Sequence, residues 1–284
     1  MTASAKSIEV WIDSVALVGP GLPDWQAARA VLRGERPWQH APAVATLPPI
    51  LPPAERRRTS LAVRIALAAA HQAIGDCSFD AAQIASVFTS SGGDGLTCHL
   101  ICDALTQADR RISPTHFHNS VHNAPSGYWG IAMRATAAST SLCGHDASFA
   151  AGLLESMMQA TTTPGPVILV GYDAPYPEPL QSWRCIPDAF GLALVLSPEP
   201  TSRAALRLSM TIGTAEPTRL ADPALEALRL AVPTARALPL MQAIARLQPA
   251  TVAIEYLEPA AAGLPASRLI LALEPAAAAA PERR

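Results

Sequence analysis

The stretch STSLCGHDASFAAGLLE, Ser139 to Glu155, carries the residue types of a nucleophile seated where a turn enters a helix. Cys143 supplies a thiol, and His145 stands two residues on as a base for it. Free N–H groups and the dipole at a helix start hold such a sulfur as thiolate and stabilise the oxyanion formed when it attacks a carbonyl. Nucleophilic catalysis by Cys143, with His145 or a histidine of the 116–122 block as base, is the chemistry this pattern offers.

Other groups compete for a role. His116, His118 and His122, in ISPTHFHNSVHNAPSG, have the types of a metal or acid–base cluster. Cys98, His99 and Cys102 (CHLIC) also suggest a metal, but no second Cys/His pair stands at zinc-finger spacing, so buried thiols on a helix face are the reading. The loop SSGGDG, Ser90 to Gly95, has neither the Lys-Ser/Thr of a P-loop nor GxGxxG spacing; its glycines serve tight backbone approach. Glu55-Arg56-Arg57-Arg58 is the local basic patch, either a solvated helix start or a dock for an acidic protein.

The totals narrow the field. A net charge of -2, with 15% charged residues, leaves no basic footprint for nucleic acid. No segment approaches the roughly 18 apolar residues of a membrane span, and the N-terminus lacks the apolar run of a signal peptide, so a cytoplasmic protein is expected. With 5 cysteines and no paired framework, reduced thiols are expected.

The scaffold follows from periodicity. Ile8 to Val18 reads as an apolar strand ending in Gly19-Pro20-Gly21, after which Asp24 caps a helix carrying Trp25, Ala28 and Leu32 and stopping at Gly34. Residues 35–55 are proline-rich loop; Thr59 or Ser60 then opens an internal helix, LAVRIALAAAHQAIG, that closes at Gly75. Ile84 to Thr89 is β-rich and feeds SSGGDG and a helix to about Ala108. Phe149, Leu153, Leu154 and Met157 place a helix over 144–160, entered from a turn at Ser139-Thr140-Ser141. Pro166 to Gly171 and Phe190 to Leu196 are unbroken apolar runs, as in strands covered on both faces. Further strands are expected at Leu206 to Ile212, Thr251 to Leu257 and Arg268 to Leu273, with a helix at Leu240 to Leu247. Such alternation argues a layered α/β fold.

Seven stretches in order resemble the β-ketoacyl-ACP synthases of the thiolase-like superfamily, most closely short members that carry only the N-terminal half. They are VALVGPG…WQAARAVLRGE, the helix after ERRRTS, VFTSSGGDG, FHNSVHNAPSGYWGIAM, ASTSLCGHDASFAAGLLE, VILVGYDAPYPEP and FGLALVLSPEP, spanning about Ile8 to Glu199. The resemblance implies a thiolase-like α/β/α fold with one main mixed sheet. Residues 1–200 would form a ketosynthase-like N-terminal domain, 201–275 a small α/β extension, and 276–284 a disordered tail.

Active ketosynthases follow the turn resembling Ser139-Thr140 with one small residue and then the nucleophilic cysteine. Counting places Leu142 there, and an alkyl side chain takes no acyl group. Cys143 is one residue late, about 100° and 1.5 Å along a helical path. The family's two further catalytic histidines come from its C-terminal half, whereas the last histidine of this sequence is His145.

The resemblance therefore implies no catalytic residue, no metal and no cofactor. It implies a chain-length-factor-like partner in a heterodimer with an active ketosynthase, in an aryl-polyene type of type II polyketide system. Acyl carrier protein would be met directly or through that partner, with Arg56, Arg57 and Arg58 as a docking patch. Phe117, Asn119, Ser120, His122 and Asn123 become interface or acyl-pocket residues, and Gly127, Gly130 and Gly152 suit close contact. Two alternatives stand beside it: an acyltransferase or thioesterase using Cys143 with His145, and a scaffold that binds carrier protein without touching the acyl chain.

Overall fold

The computed structural model describes residues 7–163, 165–259 and 265–276. Strand β1 (Ile8–Val18) turns through Gly19 to Gly21 into α1 (Trp25–Leu32), where Asp24 caps by accepting from the Ala27 N–H. Gly21 must be glycine: its φ is +67°, and a Cβ there would lie 2.0 Å from the Gln39 carbonyl oxygen. After α2 (Pro53–Arg58), Ser60 caps the internal helix α3 (Leu61–Gly75), and β2 (Ala85–Thr89) follows. Helices α4 (Gly95–Thr106), α5 (Pro114–Asn119) and α6 (Ala124–Met133) precede β3 (Ser139–Leu142). A 3₁₀ turn over His145–Ala147 leads into α7 (Ser148–Thr162), β4 (Val167–Asp173), α8 (Leu180–Trp183) and β5 (Phe190–Ser197). The chain ends in β6 (Leu206–Gly213), α9 (Pro223–Ala231), α10 (Leu238–Arg246), β7 (Ala250–Leu257) and β8 (Ser267–Pro275).

The strands form one 8-stranded mixed sheet in the order β3-β2-β4-β5-β1-β6-β8-β7. β2 is parallel to β3 and β4, and the other neighbours are antiparallel. Strand alternation sorts the core onto two faces. Leu169, Leu192 and Leu194 face Phe149 and Leu153 of α7, while Ile168, Val170, Ala193 and Val195 face Ile65, Ala66 and Ala69 of α3. β4 and β5 are buried along their whole lengths, as unbroken apolar runs require. β6, β8 and β7 bury one face only, on α9 and α10, and Arg207 on the open face pairs with Glu9 and Glu274. The described part of the chain is thus α/β/α over its first half and α/β over the extension, on a single sheet.

Ser139 to Leu142 is a strand rather than the expected turn: Ser86 to Thr89 pair with Ser139 to Leu142 in parallel register, and the Ser86 and Ser139 hydroxyls meet at 2.9 Å. Small polar residues read as a turn locally, and pairing with β2 overrides that preference. Helix α9 was not anticipated, although Asp222 followed by Pro223 is an N-cap and first-turn signature. Of the tail expected to be disordered, 276–284, all but residue 276 lies outside the described residues.

Candidate functional site

Strand β3 ends at Leu142, whose side chain packs against the α7-side core. Cys143 and Gly144 make the corner, and His145 adopts a left-handed φ of 53° as the 3₁₀ turn begins. Because residues 139–142 are extended, Leu142 and Cys143 are related by strand alternation, not by one step of a helix. Cys143 is exposed, and its thiol donates to the Ser91 carbonyl at 3.2 Å. The Gly144 N–H donates to Ser148 Oγ at 2.9 Å, and that hydroxyl donates to the His145 carbonyl at 2.6 Å.

The imidazole is engaged as well. Arg184 Nη1 approaches His145 Nε2 at 2.5 Å, and since a guanidinium only donates, Nε2 is the acceptor and Nδ1 carries the proton. Asp146 binds two arginines, Arg184 at 2.6 Å and Arg236 at 3.2 Å. Arg236 also reaches Glu255, which with Glu226 grips the buried Arg229, so ion pairs run from the corner into the extension. The Cys143 thiol, the Gly144 N–H and the His145 imidazole each have a local partner.

The wall facing this corner is SSGGDG. A Cβ on Gly92 would lie 2.1 Å from Tyr176 Oη, and one on Gly95 2.3 Å from its Cδ1, so the loop's glycines admit a closely packed tyrosine, as expected. Asp173, at the end of β4, is 1% exposed and accepts from Ser91 and Thr234. Burial pushes its carboxyl above the usual carboxylate range, and burial pushes the adjoining Tyr172 phenol up as well. Asp173, Arg184 and Arg236 were missed in the sequence; the one local signal was an acidic residue closing a wholly apolar strand.

Beside the corner lies an apolar face. Helix α4 buries only Thr97, leaving Leu96 and Leu105 exposed, and Cys98 and Cys102 are exposed rather than buried as expected, because the helix lies outside the sheet's core. A groove of about 600 Å³ runs between α5 and α6, lined by Phe117, Val121, Tyr128 and Ile131 among others. Phe117 is 69% exposed, and Gly127 on the groove wall faces open space rather than a close neighbour. Gly152 does make the expected close contact, with a Cβ position 2.7 Å from Thr89 Cγ2; Gly130 is looser, at 3.7 Å.

Within the 117–123 block, Asn119 is buried and structural: its amide donates to the Arg58 carbonyl and its oxygen accepts from Tyr128. Ser120 donates back to Phe117, Asn123 lines the groove, and His122 Nε2 is buried without a partner among the described residues. Arg56 and Arg57 are exposed on α2, while Arg58 pairs with Glu55. His116 and His118 lie on α5. Among the described residues no three His, Cys, Asp or Glu side chains gather as a metal site. Burial, then Asp94 and Cys102, push the Cys98 thiol up, which disfavours the thiolate a metal needs. No described helix is long and apolar enough to cross a membrane.

Comparison with solved structures finds the same fold. The ketosynthase ApeO in complex with its chain length factor ApeC from Xenorhabdus doucetiae matches with a TM-score of 0.69 and 20% identity, over 93% of this chain and 98% of that one. The AntDE:AntF complex, a type II PKS acyl-carrier protein with its ketosynthase bound to the hexaketide, matches at 0.68 and 10%, over 95% and 99%. The ketosynthase from module 1 of the bacillaene synthase of Bacillus amyloliquefaciens FZB42 matches at 0.54 and 10%, over 78% of this chain and 50% of that one. No curated protein matches the sequence. The family model described as β-ketoacyl synthase, N-terminal domain, matches residues 25–249. Its fold, its strand-to-helix corner and that match place the chain in the β-ketoacyl synthase N-terminal domain family.

Proposed function

We propose that this chain is the non-catalytic, chain-length-factor-like partner of an active β-ketoacyl-ACP synthase, working in the cytoplasm in polyketide assembly of the aryl-polyene type. The observation that carries the reading is the occupied corner. A ketosynthase corner must offer a thiolate, a free N–H for the oxyanion and a proton acceptor. Here the Gly144 N–H is used by Ser148, the Cys143 thiol by a carbonyl, and His145 Nε2 by Arg184.

Helices α4 to α6, with the free edge of β3, form the surface that fits a synthase partner, because a stable pair needs a large apolar contact. The fold spans nearly all of a chain in each of the two complexes and half of the bacillaene ketosynthase. Arg56 and Arg57 stand exposed on α2, one hydrogen bond from α5 through Arg58 and Asn119, so an acidic carrier protein would meet them at the rim of that surface. Phe117 and Asn123 would contact the partner or the acyl chain; Asn119 and Ser120 act by holding α5.

Co-expression with a full-length ketosynthase of the same organism tests this. The expected result is one complex whose product is longer, or more uniform in length, than that of the synthase alone. Separate purification together with an unchanged product would overturn it, and condensing activity lost on Cys143→Ala would favour the cysteine enzyme instead.

A further inference from the structure

We infer that Asp173 is the positioning residue of this corner: its two carboxylate oxygens tie the start of helix α4 to the C-terminal turn at Thr234, coupling the partner-facing side to the extension behind it. Oδ1 accepts from the Ser91 N–H at 2.9 Å, from Ser91 Oγ at 2.6 Å and from Ser90 Oγ at 3.3 Å. Oδ2 accepts from the Thr234 N–H at 2.8 Å and from Thr234 Oγ1 at 2.6 Å. Each oxygen therefore serves one segment, and the two segments lie 61 and 82 residues from Asp173 in opposite directions along the chain.

Both segments go on to the corner. On one side the Ser91 carbonyl takes the Cys143 thiol proton, Ser90 Oγ accepts from the Gly93 N–H at 3.0 Å, and the loop ends at Asp94, the cap of α4. On the other, Thr234 starts the turn that carries Arg236 to Asp146 and Glu255. A group that only accepts satisfies all these donors. An amide of the same shape would turn an NH₂ toward one pair and leave buried donors unpaired.

The inference rests on the docking role proposed for α4, but its test uses the isolated chain and is separate from co-purification with a synthase. Hydrogen exchange is followed at residues 90–98 and 234–240, with β5 as reference, and Cys143 alkylation by iodoacetamide is followed by peptide mass mapping. Thr234→Ala leaves Asp173 in place and removes one donor. It should accelerate exchange at residues 90–98 and alkylation of Cys143 by about tenfold, the scale of one lost hydrogen bond to a charged group, with β5 unchanged. Asp173→Asn should do so in both segments. Acceleration confined to the turn around residue 234 would overturn the coupling, as would a uniform acceleration that includes β5.

Discussion

Cys143 directs its thiol proton at the Ser91 carbonyl, which is no base, while the His145 imidazole has its acceptor nitrogen filled by Arg184. Cys143→Ala in an assembled synthase pair should therefore leave both rate and product length unchanged in a condensation assay. Arg184→Ala would free Nε2 and leave Asp146 with one arginine; alkylation of Cys143 should then rise if His145 reaches it. Counting along the sequence is what puts Leu142 at the nucleophile position under the family resemblance. The partners of His145 and Gly144 were not, because Arg184 lies 39 residues from His145 and Ser148 reads as an ordinary helix residue.

At the scale of elements, the interior strands and helices α1 and α3 were legible because their signals are local: unbroken apolar runs, Asp24 and Ser60. β3 was not, since its strand character comes from pairing with β2, and α9 is marked only by Asp222-Pro223. Gly152 lets α7 lie against β2 and β4. Thr89, which its Cβ would strike, cannot rotate away without losing the bond from its Oγ1 to the Ser148 carbonyl. Gly152→Ala gains about 1 kcal/mol of helix propensity but overpacks a rigid contact, so a net loss of about 1 kcal/mol is expected, read as a lowered Tm.

The ion pairs holding α9 to β7 give a pH dependence. The hydrogen bond from Arg229 holds the Glu226 carboxyl below its usual range. A carboxylate depressed on folding contributes stability above its unfolded value of about 4.3 and loses it as pH falls through the folded value. Denaturant unfolding at pH 5 and at pH 3 should show this acid loss, and Glu226→Gln should reduce it. Arg229→Met removes the ion-pair partner of Glu226 and leaves Glu255 with Arg236 alone, and should cost about 3 kcal/mol.

For the molecule as a whole, the two ends of the sheet differ. The β7 edge is closed by Thr218, whose N–H donates to the Ala253 carbonyl at 2.8 Å while its hydroxyl accepts from the Ala253 N–H at 3.0 Å. Among the described residues the β3 edge carries no further strand and stands beside α6, with Phe117, Val121 and Ile131 exposed on α5, α6 and the link between them. Phe117→Asp with Ile131→Asp should abolish pairing with a synthase, seen as loss of the complex by light scattering, while leaving the monomer's Tm unchanged. The order of motifs carried the fold class. It did not carry this asymmetry, which depends on Thr218 reaching a strand that follows it by more than thirty residues.

The most direct measurement is hydrogen exchange of the chain with and without a full-length ketosynthase. Slowed exchange at residues 95–131 and 139–142, with α9 and β7 unchanged, is the predicted result. No protection anywhere, or protection confined to the β7 side, would contradict the account.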